Sequence, residues 1–362
     1  MKEIVICNAM PIYKEAPVSP ILLEENIDKL LTALLEIDAK KHYLIAPKGK
    51  IEGGIPDEIT LIELEGDAGF TYGNHSAILK VLEGEKPIPL FYNDKTMEES
   101  IAILSIEELL ELSEKRVYIA GAAKSPGAYK IPKNVAPRTI LGACGVKTKL
   151  KGIFFGYPMG FLLDESKLDE TIELTTDYIE VIDESDCVLD CLLSIANRFE
   201  QESCGRCIFG YEGVTQIRMI LSDITQKKGK TTDIALLMKL CEEMKHQALC
   251  EIGVSMANTV TTAIDFFQEE IEEHITKKSC KAGVCTKFVT YHILPDLCTG
   301  CNECVDVCEE DAIEGRKRFI HVIEQEECIQ CGACQEACEE EAIVKAGAGK
   351  PRCPKKPIPC KR

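Results

Sequence analysis

The spacing of apolar residues predicts that the chain is built from successive segments of different architecture. Residues 1–115 contain three short apolar runs that are typical of buried strands: residues 5–10, 42–47 and 59–64. Apolar residues recur at helical spacing over residues 27–37, and a second helix is expected over residues 97–112. The first segment is therefore expected to be a small α/β unit.

Residues 116–185 have the pattern of a compact β-rich unit. A strand, a turn at Pro126 and Gly127 and a second strand are followed by a short helix over residues 137–143, which Gly145 closes. Residues 151–163 then return to the strand pattern.

Residues 186–278 are helical almost throughout. Helical patterns cover four ranges: residues 188–202, 211–227, 233–247 and 255–275. Gly229 and Gly253 lie between these ranges and are predicted to stop the helices. Because short loops favour antiparallel neighbours, a helical bundle is expected.

An internal repeat of 30 residues begins at Cys298 and again at Cys328, within a segment that spans residues 279–346. The last segment, residues 347–362, is rich in Gly, Pro and Lys and predicts an extended tail. The five segments together predict an α+β multidomain protein.

Each repeat carries four cysteines with the spacing C-x2-C-x2-C-x3-C, which is a specific signal for [4Fe–4S] clusters. Three thiolates of such a run bind one cluster, and the fourth crosses to the other cluster. The predicted ligands of cluster 1 are Cys298, Cys301, Cys304 and Cys338, and those of cluster 2 are Cys328, Cys331, Cys334 and Cys308. A pair of structural zinc ions is a poor alternative, because zinc modules use two separated pairs of ligands. The repeat therefore predicts a ferredoxin-like domain with two [4Fe–4S] clusters.

The residue after the fourth cysteine departs from the bacterial pattern. That residue is usually Pro, but it is Glu309 in the first run and Glu339 in the second. Since Pro gives no ligand to the metal, cluster binding is expected to survive. We expect the added negative charge to lower the reduction potential.

Composition narrows the setting and the partners. The formal charge is −18, from 60 acidic and 42 basic residues, which argues against nucleic acid and favours a protein partner with a basic patch. The chain has 20 cysteines, no apolar signal-peptide core at its start and no apolar run long enough to span a membrane. A reducing, cytoplasmic and anaerobic setting is therefore expected, with no membrane partner and with cysteines that bind metal.

A further set of cysteines carries a resemblance to a known family. Cys204 and Cys207 lie in ESCGRCIFGYEG, and Cys250 lies in HQALCEIG. These segments resemble the cluster-binding domain of the flavoprotein subunit of respiratory complex I, of NAD-dependent and electron-bifurcating hydrogenases, and of formate dehydrogenases. The resemblance implies a third metal site at Cys204, Cys207 and Cys250.

The position of the family's third loop cysteine is occupied by Gly210. A ligand from Cys187 or Cys191, a ligand other than cysteine, and loss of the cluster all stay open. Cys241 is excluded as a substitute, because nine residues of one predicted helix would turn it away from Cys250.

The resemblance covers nearly the whole chain but fails near the start. RVYIAGAAKSPGAYKIP resembles the soluble-ligand-binding β-grasp domain of that family, and the terminal ferredoxin extension resembles its hydrogenase-type members. The family's glycine-rich flavin loop is missing from residues 1–115, and Asn74 and His75 stand where the family has two acidic residues that position the nicotinamide nucleotide. The first segment thus resembles a truncated remnant of the flavin domain, and neither FMN nor NADH is expected to bind.

The remaining cysteines fall into two groups. Candidate zinc ligands are Cys280, Cys285, Cys353 and Cys360, with His274 and His292 as alternative ligands. Free thiols, or ligands at a subunit contact, are the other interpretation. Cys7 and Cys144 are expected to be core thiols.

The resemblance implies an electron-conducting component of a cytoplasmic multi-subunit oxidoreductase, of a flavin-dependent or electron-bifurcating kind. Electrons would pass between the flavin or cluster of a partner flavoprotein and a soluble ferredoxin. No pairing of a nucleophile with a base predicts a catalytic residue. Two alternatives stay open: an NADH-oxidising flavoprotein (diaphorase), and a docking subunit whose clusters serve only stability.

Overall fold

A computed structural model describes residues 2–51, 53–65, 69–89, 100–347 and 350–360. Contacts between residues divide the chain into two compact units. The first unit contains Met1–Asp183, Ser194–Arg218 and Ile234–Phe266, and the second contains Glu184–Leu193, Met219–Asp233 and Phe267–Arg362.

The first unit opens with a parallel sheet of four strands in the order β3-β2-β1-β4. The strands are Lys2–Asn8 (β1), Ala39–Pro47 (β2), Ile59–Leu64 (β3) and Ile101–Ser105 (β4). Helix Val18–Glu36 connects β1 to β2; it contains most of the predicted helical range, residues 27–37, but begins nine residues earlier. Cys7 is a core thiol, fully buried.

The helix predicted over residues 97–112 is wrong where the structure describes it, since residues 97–99 lie outside the described part. Ile101–Ser105 pairs with β1 as a strand, because a short continuous apolar run fits a buried strand as well as a helix. A capping box of Ser105 and Glu108 then starts the helix Ile106–Leu109.

A second sheet of the first unit has five strands in the order β6-β5-β11-β8-β9. These are Glu114–Gly121 (β5), Gly127–Pro132 (β6), Leu150–Phe155 (β8), Phe161–Asp164 (β9) and Tyr178–Asp183 (β11). Strands Asn134–Val135 (β7) and Ile172–Glu173 (β10) pair beside it. The predicted short helix is present as Pro137–Cys144 and ends at Gly145, whose φ of 66° suits glycine.

The helical part of the chain contains four long helices: Val188–Glu202, Gly213–Thr225, Asp233–Gln247 and Glu251–Thr276. The prediction of a stop at Gly253 is wrong, because Gly253 lies in the first turn of the last helix. Its lack of a side chain instead allows a close contact, since a Cβ atom there would lie 3.1 Å from the Cα atom of Gly210. Within the described residues, no helix is both long enough and apolar enough to cross a bilayer.

The repeat in the second unit folds as two similar halves. Thr290–Ile293 (β12) pairs antiparallel with Ile343–Ala346 (β16), and Ile313–Glu314 (β13) pairs antiparallel with Val322–Ile323 (β15). Two short helices, Glu303–Asp306 and Ala333–Glu336, follow the cysteine loops. In the described part of the tail, the strand Ile358–Pro359 (β17) pairs with Phe319–Ile320 (β14).

Candidate metal centres

The first cysteine loop encloses a cavity, here called the Cys298 cavity, with thiols from both halves of the repeat. Its lining includes the four predicted ligands of cluster 1: Cys298, Cys301, Cys304 and Cys338. Cys338 is the last cysteine of the second run, so the structure brings together the crossed set of four thiols.

The second loop encloses an equivalent cavity, here called the Cys328 cavity. It is lined by the predicted ligands of cluster 2: Cys328, Cys331, Cys334 and Cys308. Cys304 and Cys334 are buried whereas Cys301 and Cys331 are exposed. Each cavity therefore has one thiol towards the interior and one at the surface.

Left-handed residues let each loop turn tightly around its cavity. Gly300 and Asn302 have φ angles of 71° and 91°, and their equivalents Gln330 and Gly332 have φ angles of 60° and 86°. Gly300 is required for a second reason, since a Cβ atom there would lie 2.7 Å from the backbone nitrogen of Arg318. Glycine at this position therefore avoids a clash as well as strain in the left-handed backbone.

The donor set of the two cavities fits polynuclear clusters. Burial raises the pKa of Cys304 to about 12 and that of Cys334 to about 11, and neighbouring thiols of the same cavities add to the rise. Without metal these thiols keep their protons, and a cluster would replace those protons with iron. Among the described residues, neither set lies close enough together for a single ion, unlike the group that follows.

Cys187, His274, Cys280 and Cys285 form a compact group of four buried ligands in the second unit. Cys187 Sγ lies 3.3 Å from His274 Nε2 and 3.6 Å from Cys285 Sγ, and Cys285 Sγ lies 3.8 Å from His274 Nε2. Ligand atoms around a tetrahedral zinc ion lie about 3.5–3.8 Å apart, so the group fits one ion with a Cys3His set.

Hydrogen bonds in this group favour metal binding. His274 Nδ1 lies 2.8 Å from the carbonyl oxygen of Glu270, to which it donates, and Nε2 therefore faces the thiols. Hydrogen bonds with Cys187 and Cys285 lower the pKa of Cys280 well below its usual range. Although burial opposes it, hydrogen bonds with Cys187 and Cys280 raise the pKa of His274 to about 10. Crowded donors that must share protons are a favourable place for a cation.

The sequence pointed to part of this group. The sequence predicts Cys280 and Cys285 as zinc ligands with His274 as an alternative, whereas it offers Cys187, like Cys191, only as one open choice for the missing ligand of the Cys204 site. Cys187 and His274 are 87 positions apart in the chain, so the sequence does not indicate that they lie together. The group of four does not include Cys353 or Cys360.

Cys360 lies instead against the Cys298 cavity. Its thiol is hydrogen bonded to Cys298, and burial and this neighbour raise the pKa of Cys360. Its backbone N–H donates to the carbonyl oxygen of Arg318 at 3.0 Å, next to the pairing of β17 with β14. His292, the other alternative zinc ligand, contacts Thr290 Oγ1 at 2.8 Å.

Cys204, Cys207 and Cys250 lie near one another in the first unit. Burial, and the charges of Glu251 and of the other two thiols, raise the pKa of Cys250 to about 11. The Gly210 N–H donates to Cys207 Sγ, within a single π-helical turn over Ile208–Glu212. The three thiols are not gathered as tightly as the Cys187 group, and Cys187 itself belongs to that other group.

Cys241 is fully buried on the helix Asp233–Gln247, which ends before Cys250. The prediction that one helix carries both cysteines is therefore wrong. Asn74, which replaces an acidic residue of the family, caps the helix His75–Leu82 and donates from Nδ2 to Glu251 Oε2 at 3.0 Å. The Asn74 side chain therefore has a structural role, in which it connects the helix His75–Leu82 to the residue after Cys250.

Comparison with known proteins supports an iron–sulfur assignment. Residues 190–274 match the family model described as the NADH-ubiquinone oxidoreductase-F iron-sulfur binding region, and residues 290–339 match the 4Fe-4S dicluster domain. The first match contains Cys204, Cys207 and Cys250, and the second contains all eight cysteines of the repeat.

Individual relatives agree with these matches. The chain is 30% identical over 300 residues to the NADP-reducing hydrogenase subunit HndC of Solidesulfovibrio fructosivorans, covering 72% of this chain and 61% of that protein. It is 24% identical over 261 residues to an NADH-quinone oxidoreductase subunit of Streptomyces coelicolor, covering 62% of this chain and 58% of that one. The chain thus spans about six-tenths of the length of these relatives.

Among solved structures, an NAD+-reducing [NiFe]-hydrogenase in the H2-reduced state matches with a TM-score of 0.64 and 19% identity, covering 76% of this chain and 57% of that one. This likeness concerns the fold. The resemblance to the complex I and hydrogenase subunits that the cysteine motifs carried is confirmed.

Proposed function

We propose that this chain is the iron–sulfur electron-transfer subunit of a multi-subunit oxidoreductase. Two [4Fe–4S] clusters, one in the Cys298 cavity and one in the Cys328 cavity, would pass electrons between the flavin or cluster of a partner flavoprotein and a soluble ferredoxin. The observation that carries the proposal is the crossed arrangement of four thiols around each of two neighbouring cavities.

Each bound cluster would store one electron, and the residues of the chain would hold the cluster and set its reduction potential. The thiols of each cavity hold the iron, and Ile313, Ile323 and Ile343 belong to the apolar core beside the cysteines. This core limits water, and water and hydrogen bonds to sulfur together set the reduction potential. Cys301 and Cys331 give each site an exposed edge. The exposed apolar side chains of Val307 and Ile329 line the Cys328 cavity, which supports its use as a contact for a partner.

The Cys187 group is the proposed site of one zinc ion. Its four ligands come from the start of the helix Val188–Glu202, the end of the helix Glu251–Thr276 and the loop that follows. An ion there would tie these segments together within the second unit, which is a structural role.

Cys204, Cys207 and Cys250 are the proposed ligands of a third cluster in which one iron has a ligand other than cysteine. The resemblance of this segment to the complex I domain supports the proposal, and Gly210 explains the missing thiol. We further assign the five-stranded sheet to a soluble-ligand-binding β-grasp domain and the four-stranded sheet to a truncated remnant of the flavin domain. We also assign the chain to the cytoplasm.

The decisive measurement is the content of iron, sulfide and zinc per chain in protein purified without oxygen. About eight irons would support the two cavities alone, and about twelve would add the third cluster. One zinc that persists after gel filtration would support the Cys187 group. Little iron with several zinc ions would overturn the proposal.

An NADH-oxidising flavoprotein is the second candidate, since relatives carry names of NADH- and NADP-dependent enzymes. Flavin absorbance in the purified chain, with reduction by NADH, would favour it over the electron-transfer role.

A further inference from the structure

His321 and Tyr291 are equivalent residues in the two halves of the repeat. Each lies seven positions before the first cysteine of its own run, yet each lines the cavity of the other run. His321 lines the Cys298 cavity and Tyr291 lines the Cys328 cavity. One cluster site therefore has an imidazole where the other has a phenol.

The imidazole of His321 is held between a cluster ligand and an amide. The side chain is 1% exposed, with Nδ1 at 3.8 Å from Cys298 Sγ and Nε2 at 2.8 Å from Asn302 Oδ1. A metal-bound thiolate only accepts hydrogen bonds, so the contact with Cys298 is favourable when Nδ1 carries the proton. Once the carboxamide of Asn302 is turned so that its Nδ2–H donates to Nε2, the ring proton lies on Nδ1.

The surroundings of the two residues differ in a matched way. Asn302 corresponds to Gly332, and both have left-handed backbone. A Cβ atom at Gly332 would lie 2.9 Å from the hydroxyl oxygen of Tyr291, so the tyrosine needs a glycine there, whereas the shorter histidine leaves room for Asn302. His321 and Asn302 therefore form one set, and Tyr291 and Gly332 form its counterpart.

Gly315 is fitted to the imidazole as well. A Cβ atom at Gly315 would lie 1.9 Å from Cδ2 of the His321 ring. A side chain at this position would displace the ring from Cys298. The contacts of Cys298, Asn302 and Gly315 with the ring are thus consistent with a fixed imidazole.

We propose that His321 is a tuning residue, whose Nδ1–H donates to the Cys298 sulfur and raises the reduction potential of the cluster in the Cys298 cavity above that of the other cluster. A hydrogen bond to a ligand sulfur stabilises the more negative, reduced cluster. An electron that enters the pair then rests at the Cys298 cavity. This inference rests on the proposed function, since it requires both clusters.

The test is a redox titration of the full chain, monitored by electron paramagnetic resonance without oxygen. The His321→Leu variant removes the donor, and we expect one of the two couples to lose about tenfold in its reduction equilibrium, or about 59 mV for one electron. His321→Gln keeps an N–H donor and should restore much of the shift. The exchange H321Y/N302G should bring the two couples together.

Tyr291→Leu is the matched control at the equivalent position and should leave the His321-sensitive couple unchanged. With about eight irons bound, a His321→Leu variant that moves neither couple would overturn the inference and leave the proposed function intact. The inference is also overturned, with the proposed function intact, if His321→Leu and Tyr291→Leu both shift the same redox couple. If the His321→Leu variant loses iron, the redox titrations of His321→Gln and H321Y/N302G test the inference instead. It is overturned if His321→Gln does not keep the wild-type potentials or if H321Y/N302G leaves the two couples as far apart as in the wild type. A wild-type chain that binds no cluster would overturn both proposals.

Discussion

The backbone N–H of Gly210 donates a hydrogen bond to Cys207 Sγ across 3.1 Å, and a Cβ atom at Gly210 would lie only 2.3 Å from that sulfur. Gly210 is also packed against Gly253. The position of the missing third cysteine is thus closely fitted to the sulfur of the second.

We expect Gly210→Ala to lower the free energy of unfolding by about 1–3 kcal/mol, because the added methyl group overpacks the turn. Removing the sulfur in the double variant C207A/G210A should recover most of this loss. Urea denaturation of the wild type, Gly210→Ala, Cys207→Ala and the double variant measures the coupling. An equal cost of Gly210→Ala with and without the Cys207 sulfur would contradict this account.

Crossed cluster ligation can be tested by pairing variants across the repeat. Cys338→Ser should alter the same electron paramagnetic resonance signal as Cys298→Ser, and Cys308→Ser the same signal as Cys328→Ser, because these pairs line common cavities. If Cys338→Ser instead changed the signal affected by Cys328→Ser, each run would hold its own cluster.

Zinc content should depend on Cys280 and not on Cys360. Cys280→Ala removes one of four buried ligands, so we expect loss of the zinc ion and a lower melting temperature. Cys360→Ala is the control, since this thiol lies beside Cys298, and should keep its zinc. Metal analysis of both variants, with iron as an internal reference, is the measurement. Retention of zinc by Cys280→Ala would rule out the site.

Charge beside the Cys328 cavity should lower the potential of its cluster. Glu309 lines that cavity directly after Cys308, so Glu309→Gln should shift one couple to a more positive potential. Glu339, which follows Cys338, offers the matched control, and Glu339→Gln should act on the other couple. Unchanged couples in a redox titration of both variants would show that solvent screens these carboxylates.

The first unit depends on a buried ion network around Lys115. Its Nζ atom lies 2.7 Å from both Glu107 Oε2 and Asp177 Oδ1, and all three side chains are less than a tenth exposed. Lys115→Met leaves two buried carboxylates without their cation, so we expect a loss of about 3–5 kcal/mol in urea denaturation. Lys40→Met, which breaks an exposed pair with Glu3, should cost less than about 1 kcal/mol.

The same network gives a pH dependence with a defined sign. Burial opposes the charge, but Asp177 and Glu107 together raise the pKa of Lys115. A raised pKa in the folded state contributes stability that is complete below the unfolded value, about 10.4, and is lost as the pH rises through the folded value. The difference in unfolding free energy between wild type and Lys115→Met should therefore stay constant from neutral pH to about pH 10 with respect to Lys115. A difference that shrinks between pH 7 and about pH 9 would contradict the assignment.

The sequence predicted the cysteine loops, in which three thiols lie a few residues apart. The loops at Cys298 and Cys328 could be recognised because short spacing fixes which thiols face one cavity. Cys187 could not be predicted as a ligand of the zinc group, because no local pattern relates it to His274. Only the packing of helices brings the two residues together. Ile101–Ser105 was misassigned for a similar reason, because its partner strand β1 lies far away in the chain. Gly253 resembles a helix stop because its contact with Gly210 is not visible in either segment alone.

Because each half of the repeat places its last cysteine in the cavity of the other, a single half cut from the chain would supply only three of the four thiols around its own cavity. Two copies of such a half could complete both sites only by pairing with each other. The crossed cysteines thus give the module the logic of a homodimer whose two halves are joined in one chain. Truncating the chain anywhere between Cys308 and Cys328 would accordingly remove thiols from both cavities at once.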